Sequence, residues 1–268
     1  MIQPNLVLTA AHCVVDTDAW TAVGGPGVAP PTPAKKVLLA KNNIKYDWRK
    51  DVLMGADAES TSREIFIHPD YFVSDGNDIA IIKTKTSEPL PKPFVRLADR
   101  KEGLRLPMGA NVTAVGFGRN NNYISNGFFQ SSPRLFEVDL TVGRPGVAPC
   151  PPRTSEDEAP EDCNSVIDCY AGIQTGKEVC LVGGWFYQNP ERPNPNQDTG
   201  VGLKGACSGD SGGPVYYRGK QFGIAEKVFD KDILCERIAL NPFTVYTLVS
   251  AHRRDFIDPI VQANSFRG

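Results

Sequence analysis

The sequence has no apolar run approaching the roughly 18 residues that a membrane-spanning helix needs, so no helical span is expected. It has little net charge: 29 Lys and Arg against 31 Asp and Glu leave −2. That balance gives no electrostatic footprint for nucleic acid or an anionic membrane. No Cys-x-x-Cys pair occurs, which argues against a structural zinc site. The opening residues "MIQPNLVLTAAHC" carry neither a basic segment nor a long apolar core, and so do not read as a signal peptide. Histidine is scarce, with only His12, His68 and His252.

What is present points to an extracellular β protein. The 268 residues are 41% hydrophobic and 22% charged, enough for one large all-β domain or two smaller units. Seven cysteines fit disulfides in an oxidising compartment better than a cytosolic enzyme. Their odd number implies a free thiol, an external partner or a missing piece of chain. Nine short runs read as strands: "NLVLTA", "KKVLLA", "REIFIH", "DIAIIKT", "NVTAVGFG", "RLFEVDLTV", "GPVYY", "FGIAEKV" and "TVYTLV". They are rich in β-branched residues and bounded by Gly, Pro, Asn and Asp. The only helix expected is terminal, in "VSAHRRDFIDPIV", where Pro259 disturbs the pattern. Many strands with one terminal helix indicate a barrel or sandwich. Three Pro-rich polar stretches, residues 24–36, 149–163 and 187–200, read as loops inserted within one domain.

Three residues could act together. His12 follows an apolar strand and stands beside Cys13. His68 precedes a proline and turns the chain, and His252 lies among arginines as a solvated residue. Asp78 stands at the mouth of an apolar run, where a buried carboxylate must find a partner. Turn capping would explain it, and so would a hydrogen bond to an imidazole. Ser211 lies in "GACSGDSGGPV", residues 205–215, a cluster of glycines too dense for an ordinary turn. A serine hydroxyl is a weak nucleophile until a base takes its proton, and that base needs a third group to orient it.

"LTAAHC", "NDIAIIK" and "GDSGGPV", in this order, resemble the trypsin/chymotrypsin family of serine endopeptidases. "HPDY", "VGFG" and "VYTLVS" add minor matches. The resemblance implies two Greek-key β-barrels with a C-terminal helix in a single peptidase domain, residues 1–268. The first barrel, incomplete, would occupy about residues 1–105 and the second 106–268. It assigns Ser211 as nucleophile, His12 as general base and Asp78 as the group fixing the imidazole, by the template worked out for this family. Gly209 and Ser211 would supply the oxyanion-hole amides, and Asp210 would pair with an amine released on activation of a zymogen. No cofactor or metal is implied. The implied partners are protein or peptide substrates, protease inhibitors and an upstream activating protease, for a secreted monomer.

Several departures from the family pattern carry expectations of their own. An Ile-Val-Gly-Gly-like start and the strand bearing the partner of Cys13 are absent, which implies an N-terminally truncated chain, whose motif can be intact while the molecule as it stands is inactive, with Cys13 unpaired. The resemblance pairs Cys207 with Cys235, and Cys180 with Cys169 or Cys163, the remainder joining Cys150. The specificity pocket would have Gly205 at its base and Val228 and Thr244 in its walls, a pattern that favours small aliphatic residues over Arg or Lys. Glu226 and Lys227 replace a Ser-Trp pair, with Glu226 either crowding the triad carboxylate or offering a cation site. The alternative is a non-catalytic homologue serving as a binding or regulatory module.

Overall fold

The computed structural model describes residues 2–26, 29–35, 37–40, 45–47, 52–54, 59–71, 76–84, 94–103, 106–125, 128–131, 135–143, 176–183, 205–207, 209–229 and 243–265. The expected loops at 149–163 and 187–200 lie outside the described residues, as do Cys150, Cys163, Cys169 and Cys235.

The first half builds an antiparallel sheet in the order β1 (Leu6–Thr9), β6 (Ala80–Thr84), β5 (Glu59–Ile67), β2 (Leu38–Ala40). A separate hairpin pairs β3 (Lys45–Asp47) with β4 (Val52–Met54). Strand β6 is buried at all five positions. Alternation explains why: Ile79 and Ile81 face one apolar cluster, while Ala80 and Ile82 face another. A strand covered on both sides reads as a continuous apolar run, as "IAII" does. Between β1 and β2, Asp16 caps α1 (Thr17–Ala22), accepting a hydrogen bond from the Ala19 amide at 3.0 Å.

The second half closes into a barrel. Strands β13 (Pro214–Tyr217), β8 (Asn111–Gly116), β11 (Phe136–Val142), β12 (Glu178–Gly183), β15 (Phe243–Leu248) and β14 (Lys220–Phe229) pair in that order, and β14 pairs back to β13. The ring of six abolishes the exposed edges that an open sheet would present. Its core includes Val112, Leu140, Leu181, Val215, Phe222 and Tyr246. Short β7 (Arg96–Leu97) runs parallel to β14, α2 is Arg100–Gly103, and β9 (Arg119–Ser125) forms a hairpin with β10 (Phe128–Ser131). This is the all-β architecture expected, with the second half a closed six-stranded barrel and the first half, among the described residues, an open sheet. All nine expected strands are present, and six more, β3, β4, β7, β9, β10 and β12, are not among those expected.

A cluster of Leu6, Leu8, Ile79 and Ile81 from the first half with Ile224, Val249, Phe256 and Ile257 from the second joins the two. The terminal segment is a 3-10 turn, Val249–His252, then a π turn, Arg253–Ile257, then α3, Asp258–Ser265. Pro259 is the second residue of α3, directly after the π turn, so the helical pattern is interrupted where the proline is expected to disturb it.

The expectation that His252 is solvated is corrected: it is 3% exposed. Its ring meets His68 edge to face at 5.0 Å, and Phe256 packs against His68 at 5.2 Å. His252 Nε2 donates to the Gly76 carbonyl at 3.1 Å, and His68 Nδ1 accepts from the Asp70 amide at 3.2 Å. Burial pushes both imidazoles below the ordinary value of 6.5, His252 to about 4, where a charge on His68 opposes it further. The unfolded chain therefore binds more protons as pH falls below about 6.5, so stability is full above that pH and lost towards pH 4. From His252 alone, at about 4 in the folded chain, the loss between pH 7 and pH 4 is about 3 kcal/mol. In thermal denaturation across that range, His252→Gln, which keeps a donor for Gly76, should lose markedly less stability than the wild type. Equal losses would show that the histidine pair does not set the acid limit.

Candidate active site

His12 sits in a turn held from both sides. Ala10 belongs to the cluster that joins the two halves, while Ala11 and Val14 belong to the cluster around Trp20 and Tyr71. The amides of Val14 and Val15 both donate to the Ala11 carbonyl, at 2.9 and 3.0 Å. The first expected loop docks against this turn: Asp16 N donates to Thr32 O, Ala34 N to Val14 O, and Trp20 Nε1 to Ala29 O. A Pro-rich stretch that looked like an insertion is thus part of the frame that holds His12.

Asp78 reaches His12 from the mouth of β6. Its Oδ2 lies 2.5 Å from His12 Nδ1, and its Oδ1 accepts the His12 backbone N–H at 2.8 Å. Asp78 is 5% exposed, so the pair is shielded on the carboxylate side. The Asp78 hydrogen bond raises His12 to about 10, the contact with Cys13 adds to it, and burial opposes it. Asn77 anchors the loop by donating to the Asp70 carbonyl at 2.9 Å and accepting from Lys177 Nζ at 3.0 Å.

Ser211 is exposed, in the loop before β13. The loop lies against the His12 turn, which is clearest at Gly212. A Cβ there would fall 2.3 Å from Thr9 Oγ1 and 3.4 Å from Cys13 Sγ, and φ is +77°, so only glycine allows this approach. Gly209, with φ +97°, also needs a backbone that side chains rarely adopt. His12 Nε2 faces Cys13 Sγ at 3.5 Å, and among the described residues no hydrogen bond joins it to Ser211. Triads without substrate are often loose in this way. Cys13 carries a free, exposed thiol.

Asp210 turns away from Ser211. Its Oδ1 accepts from Gly118 N at 2.6 Å and its Oδ2 from Cys207 N at 2.8 Å. A Cβ on Gly116 would fall 1.9 Å from Asp210 Oδ1, so "VGFG" is the cradle of this carboxylate. Burial raises its pKa against those two amides. Among the described residues no cation pairs with it, and Met1 lies outside them.

The three residues assigned to the specificity pocket fall into two groups. Val228 and Thr244 stand directly opposite one another on β14 and β15, and Thr244 is 2% exposed. Gly205 is exposed, with open space where a side chain would be. Cys180 and Cys207 are disulfide-bonded. Their expected partners lie outside the described residues. No group of three His, Cys, Asp or Glu among the described residues could hold a metal ion. Nor is any described helix long and apolar enough to cross a membrane.

The sequence reading missed the network behind Asp78. Glu226 does not stand as an empty cation site, because Lys227 Nζ bridges Glu226 Oε1 at 2.9 Å and Glu178 Oε1 at 3.1 Å. Thr247 Oγ1 lies 2.8 Å from Glu226 Oε2. The one available signal was the charged pair interrupting "GIAEKVF"; its partners come from two other strands.

Comparison with known proteins bears on this geometry. The family model for trypsin matches residues 1–145, more than half of the chain, and so spans His12 and Asp78 but stops short of Ser211. The chain is 28% identical over 254 residues to brachyurin of Leptuca pugilator, covering 92% of this chain and 81% of that protein. It is 29% identical over 225 residues to a tryptase of Mus musculus, covering 80% of this chain and 61% of the tryptase. With bovine (Bos taurus) chymotrypsin-C it shares 26% over 266 residues, covering 94% and 73%.

Proposed function

Because the chain belongs to the trypsin family of serine proteases, we propose that it is an endopeptidase working through Ser211, His12 and Asp78. The observation that carries this reading is the His12–Asp78 pair, with Nδ1 on one carboxylate oxygen and the backbone N–H on the other. With Nδ1–H held by Asp78, the free nitrogen of a neutral His12 is Nε2, which takes the Ser211 hydroxyl proton as Oγ attacks the scissile carbonyl. The carbonyl's π electrons move to oxygen, and the Gly209 and Ser211 amides stabilise that oxyanion. Each such donor is worth on the order of 3 kcal/mol in the transition state. The C–N bond then breaks, the leaving amine takes the proton from His12, and an acyl-Ser211 ester remains. Water attacks the ester through the same base and restores the enzyme.

Asp210, raised by burial and without a described cation, is suited to receive an ammonium group released on activation by an upstream protease. The bonded state of Cys180 and Cys207 supports secretion, where a monomer would meet protein or peptide substrates and inhibitors filling the same cleft. A neutral pocket with Gly205 at its base and Val228 and Thr244 as walls favours small aliphatic side chains. In a peptide panel, kcat/KM after Ala or Val should exceed that after Arg or Lys by at least about tenfold. A preference for Arg or Lys would refute the pocket assignment. A second reading, a non-catalytic homologue that binds or regulates, draws on the contact of His12 Nε2 with Cys13 rather than Ser211. Absence of any Ser211-dependent turnover by the folded, activated protein would decide for it.

A further inference from the structure

His12 and Asp78 both belong to the first half of the chain, but the segment that presents Asp78 is gripped from the second. Gly76, Asn77 and Asp78 are all buried. Lys177, just ahead of β12, sends Nζ to Asn77 Oδ1 at 3.0 Å, across 100 positions of chain. His252, in the 3-10 turn after β15, sends Nε2 to the Gly76 carbonyl at 3.1 Å. A carbonyl can only accept, so this imidazole nitrogen carries the hydrogen. Among the described residues no other donor reaches either oxygen. Thr247 Oγ1 also lies 3.3 Å from the Asp78 carbonyl, but Glu226 Oε2, at 2.8 Å, competes for its one hydrogen, so the grip stands without it.

Both donors are mounted on one frame. Leu248 N donates to Lys177 O at 2.7 Å and Thr247 pairs with Glu178, which ties the start of β12 to the end of β15. The chain then leaves β15 directly into the turn that carries His252. The frame presses close on the segment. A Cβ on Gly76 would fall 3.1 Å from Glu178 Cγ and 3.3 Å from Lys177 Cβ, at a φ of +64° that favours glycine. On the other side, Asn77 Nδ2 donates to Asp70 O at 2.9 Å. The Asn77 side chain thus links the halves, its oxygen to Lys177 and its nitrogen to the loop before it.

Lys177 is the unexpected member of this set. It is exposed, and among the described residues no carboxylate lies within ion-pair distance of it. Substitution of such a surface lysine is ordinarily close to neutral. This one instead serves an amide that is 4% exposed, whose oxygen would be left buried and unpaired without it.

We propose that Lys177 is a positioning residue for the His12–Asp78 pair: it acts through Asn77 and, with His252 on Gly76, fixes the segment that aims Asp78 at His12. Both Asp78 oxygens accept from His12, one from the ring and one from the backbone. A segment that slips therefore loosens both bonds at once, and a misplaced catalytic group loses rate. The inference rests on the peptidase reading for its kinetic consequence but not for its structural one.

The tests use the full chain. Lys177→Met keeps the aliphatic stem and removes the ammonium from an exposed position. Its kcat should fall about tenfold with KM within about twofold, because alignment of the base is lost rather than substrate binding. Lys177→Arg, which returns a cationic donor to Asn77, should recover most of the loss. The His12 titration separates positioning from charge. Removing a positive charge alone moves an imidazole midpoint up, whereas loosening Asp78, whose hydrogen bond holds His12 high, moves it down. In Lys177→Met the midpoint should fall by about one unit, and Lys177→Arg should restore it. In a double-mutant cycle, Lys177→Met should add nothing to Asn77→Ala. A His12 midpoint unchanged or raised in Lys177→Met, or additive effects in the cycle, would overturn the proposal. If Asn77→Ala does not fold, the two Lys177 variants still decide. A folded, activated chain without Ser211-dependent turnover, whose His12 midpoint still falls in Lys177→Met, would refute the peptidase reading and leave the positioning role standing.

Discussion

Replacing Ser211 with alanine is expected to lower kcat by on the order of 10⁶-fold, with the fold and KM little changed. Ser211 is exposed, and backbone contacts hold its loop. Gly212 N donates to Ala225 O at 2.8 Å, and Gly213 N to Asp210 O at 2.9 Å. Alanine therefore removes the nucleophile and leaves the amides of Gly209 and residue 211 in place. Residual turnover above the rate in water would come from those amides and from binding. The check is active-site-quality kinetics on a small aliphatic peptide substrate, with circular dichroism to establish that the variant is folded. A fall of only a few-fold would mean that Ser211 is not the nucleophile.

Asp78→Asn is expected to cost about 10⁴-fold in kcat, the magnitude known for the corresponding change in the family's template. The geometry says why an isosteric amide fails. Both Asp78 oxygens accept from His12, one from the backbone N–H and one from Nδ1. An asparagine has a single acceptor, and the backbone N–H cannot change from donor to acceptor. The amide oxygen therefore goes to the backbone and its NH₂ faces Nδ1. That forces the hydrogen of a neutral ring onto Nε2, the nitrogen that must be empty to take the Ser211 proton. The same variant loses the carboxylate that raises His12 to about 10, so the His12 titration should fall towards 6.5. In the wild type, kcat/KM should rise with pH through the His12 ionisation, with a midpoint above 6.5. An Asp78→Asn enzyme with near-normal kcat would show that the carboxylate does not set the tautomer.

Much of this was legible in the sequence because the signals are local. "IAII" announces a strand buried on both faces, and the glycines of "GDSGGPV" announce close backbone approach, seen most directly at Gly212. Short elements such as β7, of two residues, and β3 and β4, of three each, carry too few residues for a period to show. His252 misled because its neighbours are arginines. Burial is set by which face of the terminal turns meets His68 and Phe256, and that is a tertiary fact. The Glu226 network failed to show for a related reason. A bulge shifts one residue out of the strand's alternation, and the partners Glu178 and Thr247 lie 48 and 21 positions away in the chain.

The most direct test of the central claim is covalent. The activated protein is treated with a fluorophosphonate, and the modified residue is located by peptide mass spectrometry. The account predicts one phosphonyl group per chain, on Ser211 Oγ, and its loss in His12→Ala, where no base activates the hydroxyl. A folded protein that stays unlabelled, or that carries the label elsewhere, would contradict it.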